Sequence, residues 1–156
     1  MAVLASASGN VLAQAPHRMT FQGTLALGGG SMGLSGLVSG AIRLGHRVAT
    51  LRLSGNLPPA GRPVATDFAV LAGYTAPRRR VLFAFGVGVA LVMTGDSSRI
   101  YGAPYNGRTG IGLPLQVAAL WRHAADVGIG AIGIADVNAR RSFGSLLLGL
   151  TLGRLD

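Results

Sequence analysis

Cysteine, lysine and glutamate are all absent from this sequence of 156 residues. Its charged residues are 14 arginines and five aspartates, only 12% of the chain. Without cysteine, the protein can form neither disulfides nor thiolate metal sites. So few charges cannot provide the mixed-charge surface of a soluble domain of this size. Because 49% of the residues are hydrophobic, we expect apolar side chains to face outward.

A hydrophobic run long enough for a membrane-spanning helix is also missing. The longest, residues 81–93, is interrupted by Gly86 and Gly88 and falls short of the roughly 20 residues that such a helix needs. The 25 glycines disfavour helices further, since each costs about 1 kcal/mol relative to alanine. We therefore expect membrane strands rather than helices.

The net charge of +9 could indicate a nucleic-acid partner. The arginines, however, are scattered among loops and strand ends, and no recognition helix or aromatic RNA-binding strand motif is present. We therefore predict no binding to nucleic acid.

Residues 1–15 resemble the second half of a secretory signal peptide. Ala13-Gln14-Ala15 has the small-x-small form of a cleavage site, which predicts cleavage after Ala15 and a mature barrel over residues 16–156. No basic residue precedes Arg18, so a disordered tail is the alternative interpretation.

From Met19 onward, alternation with a period of two recurs eight times, which predicts eight β-strands. The fifth run is the clearest, with bulky residues such as Phe85 and Val87 on one face and small residues such as Gly86 and Gly88 on the other. Small residues fit the narrow interior of an eight-stranded barrel, and large ones suit lipid. The fold class we predict is an all-β, eight-stranded, antiparallel up-and-down transmembrane barrel.

Two runs are irregular. The alternation of the seventh changes parity between Ile129 and Ile132, which predicts a β-bulge near Ala131. In the sixth, Pro114 falls on the inward face and is expected at a bulge or at the frayed outer part of the strand.

The connections alternate in length. Short ones at residues 45–47, 76–79 and 123–126 lie between longer ones at residues 28–33, 55–66, 95–109 and 136–142. Short periplasmic turns and longer outer loops are typical of a transmembrane barrel with both termini in the periplasm.

The final three runs carry a resemblance to a known superfamily. Gly110-Ile-Gly-Leu-Pro-Leu-Gln116, Val127-Gly-Ile-Gly130 and Leu150-Thr-Leu-Gly-Arg-Leu155 resemble the last strands of small bacterial outer-membrane barrels, the group of outer-membrane proteins A and X. The resemblance implies location in the bacterial outer membrane, contact with membrane lipid, recognition by the outer-membrane insertion machinery and a monomeric state. One departure is the C-terminal Arg154-Leu155-Asp156, where the family usually ends on an aromatic residue.

Catalysis is not expected. Some related barrels modify lipid A with a serine activated by a histidine. Here His17, His46 and His123 fall at the opposite, periplasmic side or in the N-terminal segment, without the spacing of metal ligands. We predict no enzyme activity, no cofactor and no metal.

Two sets of polar residues remain as candidates for function. Arginine forks match phosphate geometry, so the outer loops could contact lipopolysaccharide or another anionic partner. Inward charges could pair to form a polar network in the lumen. The loop set is Arg99, Tyr101, Tyr105, Arg108, Arg140 and Arg141, and the lumen set is Arg43, Arg52, Asp67, Gln116 and Arg122.

The predicted function is a structural or surface-interaction role in the outer membrane, with loops 95–109 and 136–142 exposed outside. One alternative is a narrow pore or transporter of small solutes. Another is a soluble, lipocalin-like ligand-binding barrel, whose bulky residues would face inward.

Overall fold

A computed structural model describes residues 19–57, 63–96, 107–139 and 142–155 of the chain. Eight antiparallel strands follow one another around a closed barrel, and the last pairs with the first. The predicted fold is therefore confirmed, whereas the proposed signal peptide at residues 1–15 lies outside the described residues. The strands are β1 (Met19–Gly30), β2 (Gly33–Leu44), β3 (Arg47–Leu57), β4 (Pro63–Arg78), β5 (Val81–Asp96), β6 (Arg108–Ala124), β7 (Val127–Asn138) and β8 (Phe143–Gly153).

Across these four described ranges, no helix has the length and hydropathy needed to cross a membrane.

The outer surface of the barrel is a belt of large apolar side chains. On β5, Phe85 and Val89 are 50% and 63% exposed, whereas Ala90, on the opposite face, is 1% exposed. The β8 leucines follow the same alternation, with Leu148 exposed and Leu147 buried. Bulky residues thus face outward, as predicted for a barrel whose outside meets lipid.

The lumen is filled by side chains. One apolar cluster, which includes Leu37, Leu82 and Leu120, occupies part of the interior. A second contains Ala69 and Leu71 of β4. Close packing of this kind is expected where an eight-stranded barrel has room only for its own side chains.

Strand β7 contains no bulge near Ala131, so that prediction was wrong. Its register with β6 is constant from Asn138 to Gly128 and shifts only at the other end, between Arg122 and Ala124 of β6. Ile132 and Ile134 of β7 simply point inward, at 1% and 5% exposed. They fit because neighbouring lumen residues are small. A Cβ atom on Gly149 would lie 2.6 Å from Ile132 Cδ1.

Pro114 does face inward, but neither a bulge nor a frayed end accommodates it. The β5–β6 ladder has the same register on both sides of it, at Val87 with Leu115 and at Ala90 with Gly112. The ladder lacks pairs only between these points, where proline has no N–H to donate.

The β1–β2 connection differs most from the prediction. The β1–β2 connection is the two-residue turn Ser31–Met32 rather than a longer loop over residues 28–33. Glycines 28–30 belong to β1 because the strand approaches β8 closely, and a Cβ atom on Gly28 would overlap Leu146 O. The segments predicted outside at 95–109 and 136–142 shorten to 97–107 and 139–142, because β5, β6 and β7 extend further.

Candidate functional site

The centre of the lumen holds a buried ion pair between β3 and β4. Arg52 Nη2 donates to Asp67 Oδ2, and neither side chain is exposed. The backbone N and the hydroxyl of Ser54 both donate to Asp67 Oδ1, the former at 3.1 Å. Arg52 Nη1 reaches across the interior to Leu115 O on β6, at 3.2 Å. We call Arg52, Ser54 and Asp67 the central plug.

The hydrogen bonds of the central plug offset much of the cost of its burial, although Arg52 Nε is buried with no hydrogen-bond partner among the described residues. Two charges removed from water lose several kcal/mol of hydration each, which their mutual attraction offsets only when the geometry is good and other polar atoms are satisfied. Asp67 accepts from Arg52 and twice from Ser54, so both of its oxygens are used. The plug therefore connects three strands across the lumen.

The other predicted lumen residues lie apart from this pair. Gln116 follows Leu115 on β6, and its Oε1 is buried with no hydrogen-bond partner among the described residues. Arg43 and Arg122 lie near the end of the barrel where β1 begins and β8 ends. Arg43 Nη1 donates to Leu155 O at 3.5 Å, and Arg122 N donates to Arg80 O at 2.7 Å.

Sequence reasoning missed Asp136, which it assigned to a loop. The structure includes it in β7 and buries it completely in the lumen. Asn138 Nδ2 donates to Asp136 Oδ1 at 3.2 Å. Gly112 on β6 makes room for the carboxylate, because a Cβ atom there would overlap Asp136 Oδ1. The available signal was parity, since Ile132 and Ile134 point inward at the same alternation.

Most of the predicted loop set lies outside the part of the chain that the structure describes. Arg99, Tyr101, Tyr105, Arg140 and Arg141 lie outside the described residues. The remaining one, Arg108, is the first residue of β6 and is exposed.

The two histidines in the described ranges lie in turn regions and are exposed. His46 occupies the β2–β3 turn, where its Nδ1 donates to Thr75 O at 3.1 Å. His123 lies near the end of β6. Residues 19–57, 63–96, 107–139 and 142–155 contain no group of three acidic, histidine or cysteine side chains that could hold a metal ion.

A small cavity lies inside the barrel among the described residues. Its volume is about 50 Å³, and it has polar residues in its lining, among them Gln22, Thr24, Ser39 and Thr50. It can hold only a few water molecules.

The fold is similar to that of known outer-membrane barrels. Neisserial surface protein A superposes with a TM-score of 0.67 at 16% sequence identity, covering 86% of this chain and 96% of that chain. The N-terminal β-barrel domain of Pseudomonas aeruginosa OprF gives 0.64 at 9% identity with the same coverages. Yersinia pestis Ail, the attachment invasion locus protein, gives 0.55 at 11% identity and covers 86% and 95%.

Similarity is detectable only in the fold. No protein-family model matches the sequence, and no curated protein matches it significantly. The resemblance to small outer-membrane barrels is thus confirmed structurally. The apolar belt requires a bilayer, and β-barrels are the spanning form found in the bacterial outer membrane. The chain has the fold of the eight-stranded transmembrane barrels of the bacterial outer membrane.

Proposed function

We propose that the protein has a structural or surface-interaction role in the outer membrane, with no enzyme activity. Its termini face the periplasm, and residues 97–107 and 139–142 face outside. The observation that carries this proposal is the central plug, in which Arg52 and Asp67 pair in the middle of the lumen. With the interior occupied, the connections are the surfaces left for recognition.

The outer connections carry the chemistry for an anionic partner. Arginine presents two parallel N–H donors to phosphate, and tyrosine adds a hydroxyl donor. We propose that the loop set contacts lipopolysaccharide phosphates or an anionic extracellular partner. The residues involved are Arg99, Tyr101, Tyr105, Arg108, Arg140 and Arg141.

The alternatives have less support. A pore for small solutes would need a continuous path, but the lumen contains the central plug, two apolar clusters and a cavity of only about 50 Å³. A soluble lipocalin-like barrel would need its bulky residues inside, whereas Phe21, Leu148 and Ile111 are among many that are more than 60% exposed.

Cysteine labelling tests the proposed location and orientation, because the natural chain has no cysteine to interfere. Ala139→Cys and Ala125→Cys make a matched pair, since both alanines are exposed and lie at opposite ends of the barrel. With a membrane-impermeant maleimide on intact cells, only Ala139→Cys should react. Both should react after lysis. Labelling of Ala125→Cys alone on intact cells would reverse the orientation, and recovery in the soluble fraction would contradict the membrane location.

Conductance distinguishes the pore alternative. We expect no single-channel current from the folded protein in planar bilayers, because the central plug spans the interior. Reproducible channels from the natural sequence would favour the pore.

A further inference from the structure

A groove of about 730 Å³ lies on the outside of the barrel and runs from β4 to β8. It follows from the size of neighbouring outward residues. Phe83 on β5 pairs with Ala119 on β6, which pairs with Ala131 on β7. Large side chains thus give way to small ones within one row. Leu146 on β8 is large again and forms the far wall of the groove. The groove is lined almost entirely by apolar groups, and it opens toward lipid.

The β2–β3 turn lines one end of the groove. His46 and Tyr74 both line it. Thr75 N donates to His46 O at 2.7 Å, and His46 Nδ1 donates to Thr75 O at 3.1 Å. These bonds fix the turn against β4. They also set Arg47, the next residue, beside Tyr74 in the β3–β4 ladder, where both side chains are exposed.

Four exposed arginines surround this end of the groove. Arg78 follows the groove residue Ala76 by two positions and therefore shares its outward face. None of the four has a carboxylate partner among the described residues, where Arg52 and Asp67 form the ion pair. We call these residues, namely Arg47, Arg78, Arg79 and Arg80, the arginine patch.

The backbone of Arg79 is an unusual one for an arginine. Its φ is 34°, in the left-handed region that glycine or asparagine occupies more easily. Strained residues of this kind occur at binding sites more often than elsewhere. An arginine at this turn position adds positive charge to the patch but strains the backbone.

From the groove and the arginine patch together, we propose a binding site for an anionic phospholipid. One acyl chain lies in the groove, and the phosphate group contacts Arg47 and Arg78. Guanidinium groups bind phosphate bidentately, and tyrosine is common at the depth where chain and headgroup meet, as at Tyr74. The inference rests on the proposed orientation, because β1 begins and β8 ends at this side of the barrel, which that orientation assigns to the periplasmic leaflet. It therefore favours phospholipid over lipopolysaccharide.

The test compares phosphatidylglycerol with phosphatidylcholine on the full-length barrel folded in zwitterionic detergent. Native mass spectrometry would count bound lipid as its concentration rises. Arg47→Gln/Arg78→Gln should weaken phosphatidylglycerol binding by about 25-fold, since each basic residue near an anionic surface contributes about fivefold. Arg154→Gln removes a charge at the same end of the barrel, outside the groove and the arginine patch, so it is the control and should bind as the natural protein does.

A second pair of variants tests the groove separately from charge. Ala131→Leu fills the groove and should weaken binding of both lipids. Ala49→Leu, an exposed alanine on β3 outside the groove, should not. Equal binding of the two lipids to the natural protein, or equal effects of Arg154→Gln and the double variant, would overturn the inference and leave the proposed function intact. Failure of the chain to fold in detergent would instead contradict the transmembrane barrel itself.

Discussion

The β4–β5 and β7–β8 hairpins differ most between β5 and β7, which arrange large and small residues in opposite ways. On β5, large residues such as Phe85 face outward and small ones such as Gly86 face the lumen. On β7, Ile132 is buried while Ala131 is exposed. The difference teaches that size alone does not decide which face a residue takes. The register fixes the facing, and neighbouring strands then provide space for whatever points inward.

The two hairpins also fill the lumen with different chemistry. The β4 side provides Asp67 for the central plug, whereas the β7–β8 side provides Ile132 and Leu147 for the apolar cluster. On the outside, the small β7 residues leave the groove beside the phenylalanines of β5. One exchange of large for small thus affects both surfaces of the barrel.

Breaking the ion pair should have the largest effect. Asp67→Leu leaves Arg52 charged, buried and unpaired, which should lower the free energy of unfolding by about 3–5 kcal/mol. Arg52→Met/Asp67→Leu should recover most of the loss, because an apolar pair has no charge to desolvate. Urea unfolding in detergent, followed by the fluorescence of the single tryptophan, Trp121, would measure both. Equal stability of the single and double variants would contradict the role of the pair.

A charge in the middle of the belt should come next. Val87→Arg places a guanidinium on the outward face of β5 and should cost about 2–4 kcal/mol at the bilayer midplane. Leu44→Arg is the control, because Leu44 is exposed beside the β2–β3 turn and a charge near the interface costs about 0–1 kcal/mol. Folding into vesicles under a urea gradient would show the difference. Equal costs would mean that Val87 does not face lipid.

The inward isoleucine can be tested through its small neighbour. Gly149→Ala should destabilise the barrel by about 1–3 kcal/mol, because the new Cβ atom would lie 2.6 Å from Ile132 Cδ1. Ile132→Val removes that atom. The cost of Gly149→Ala should therefore be smaller in the Ile132→Val background, which a double-mutant cycle would measure. Strict additivity would show that the two residues do not compete for space.

The smallest effect should be at the β4–β5 turn. Arg79→Gly relieves the left-handed strain and should raise the free energy of unfolding by up to about 1 kcal/mol in neutral detergent. Arg80→Gly removes the same charge without that relief and should give no gain. Thermal unfolding of the two variants side by side would test this, and equal shifts would argue against strain at Arg79.

The sequence was sufficient for the strands but less so for the details. Alternation located all eight strands because one face of each meets lipid. The glycines at 28–30 were interpreted as a loop because close approach to β8 depends on a strand more than 100 residues away. The bulge near Ala131 and the loop position of Asp136 were wrong for a related reason. Space for Ile132 and for the carboxylate comes from Gly149 and Gly112 on other strands.

The candidate site was less predictable. The sequence suggested Arg52 and Asp67 as inward charges, but their contact depends on the β3–β4 register, which sets Ser54 opposite Asp67. The exterior groove had no local signal, because it arises from rows of residues that cross the five strands from β4 to β8.

The seam between β1 and β8 has a consequence for the order of folding. Two hydroxyls meet there at 2.9 Å, those of Thr24 and Thr151, which are 127 residues apart in the chain. Gln22 Nε2 reaches Arg154 O at 2.7 Å over 132 residues. Contacts between residues so far apart in the sequence carry the largest entropic cost of loop closure, so they form slowly and late. Pairing of β1 with β8, which closes the barrel, is therefore the step that limits the rate of folding. Weakening this seam should slow folding more than weakening any hairpin.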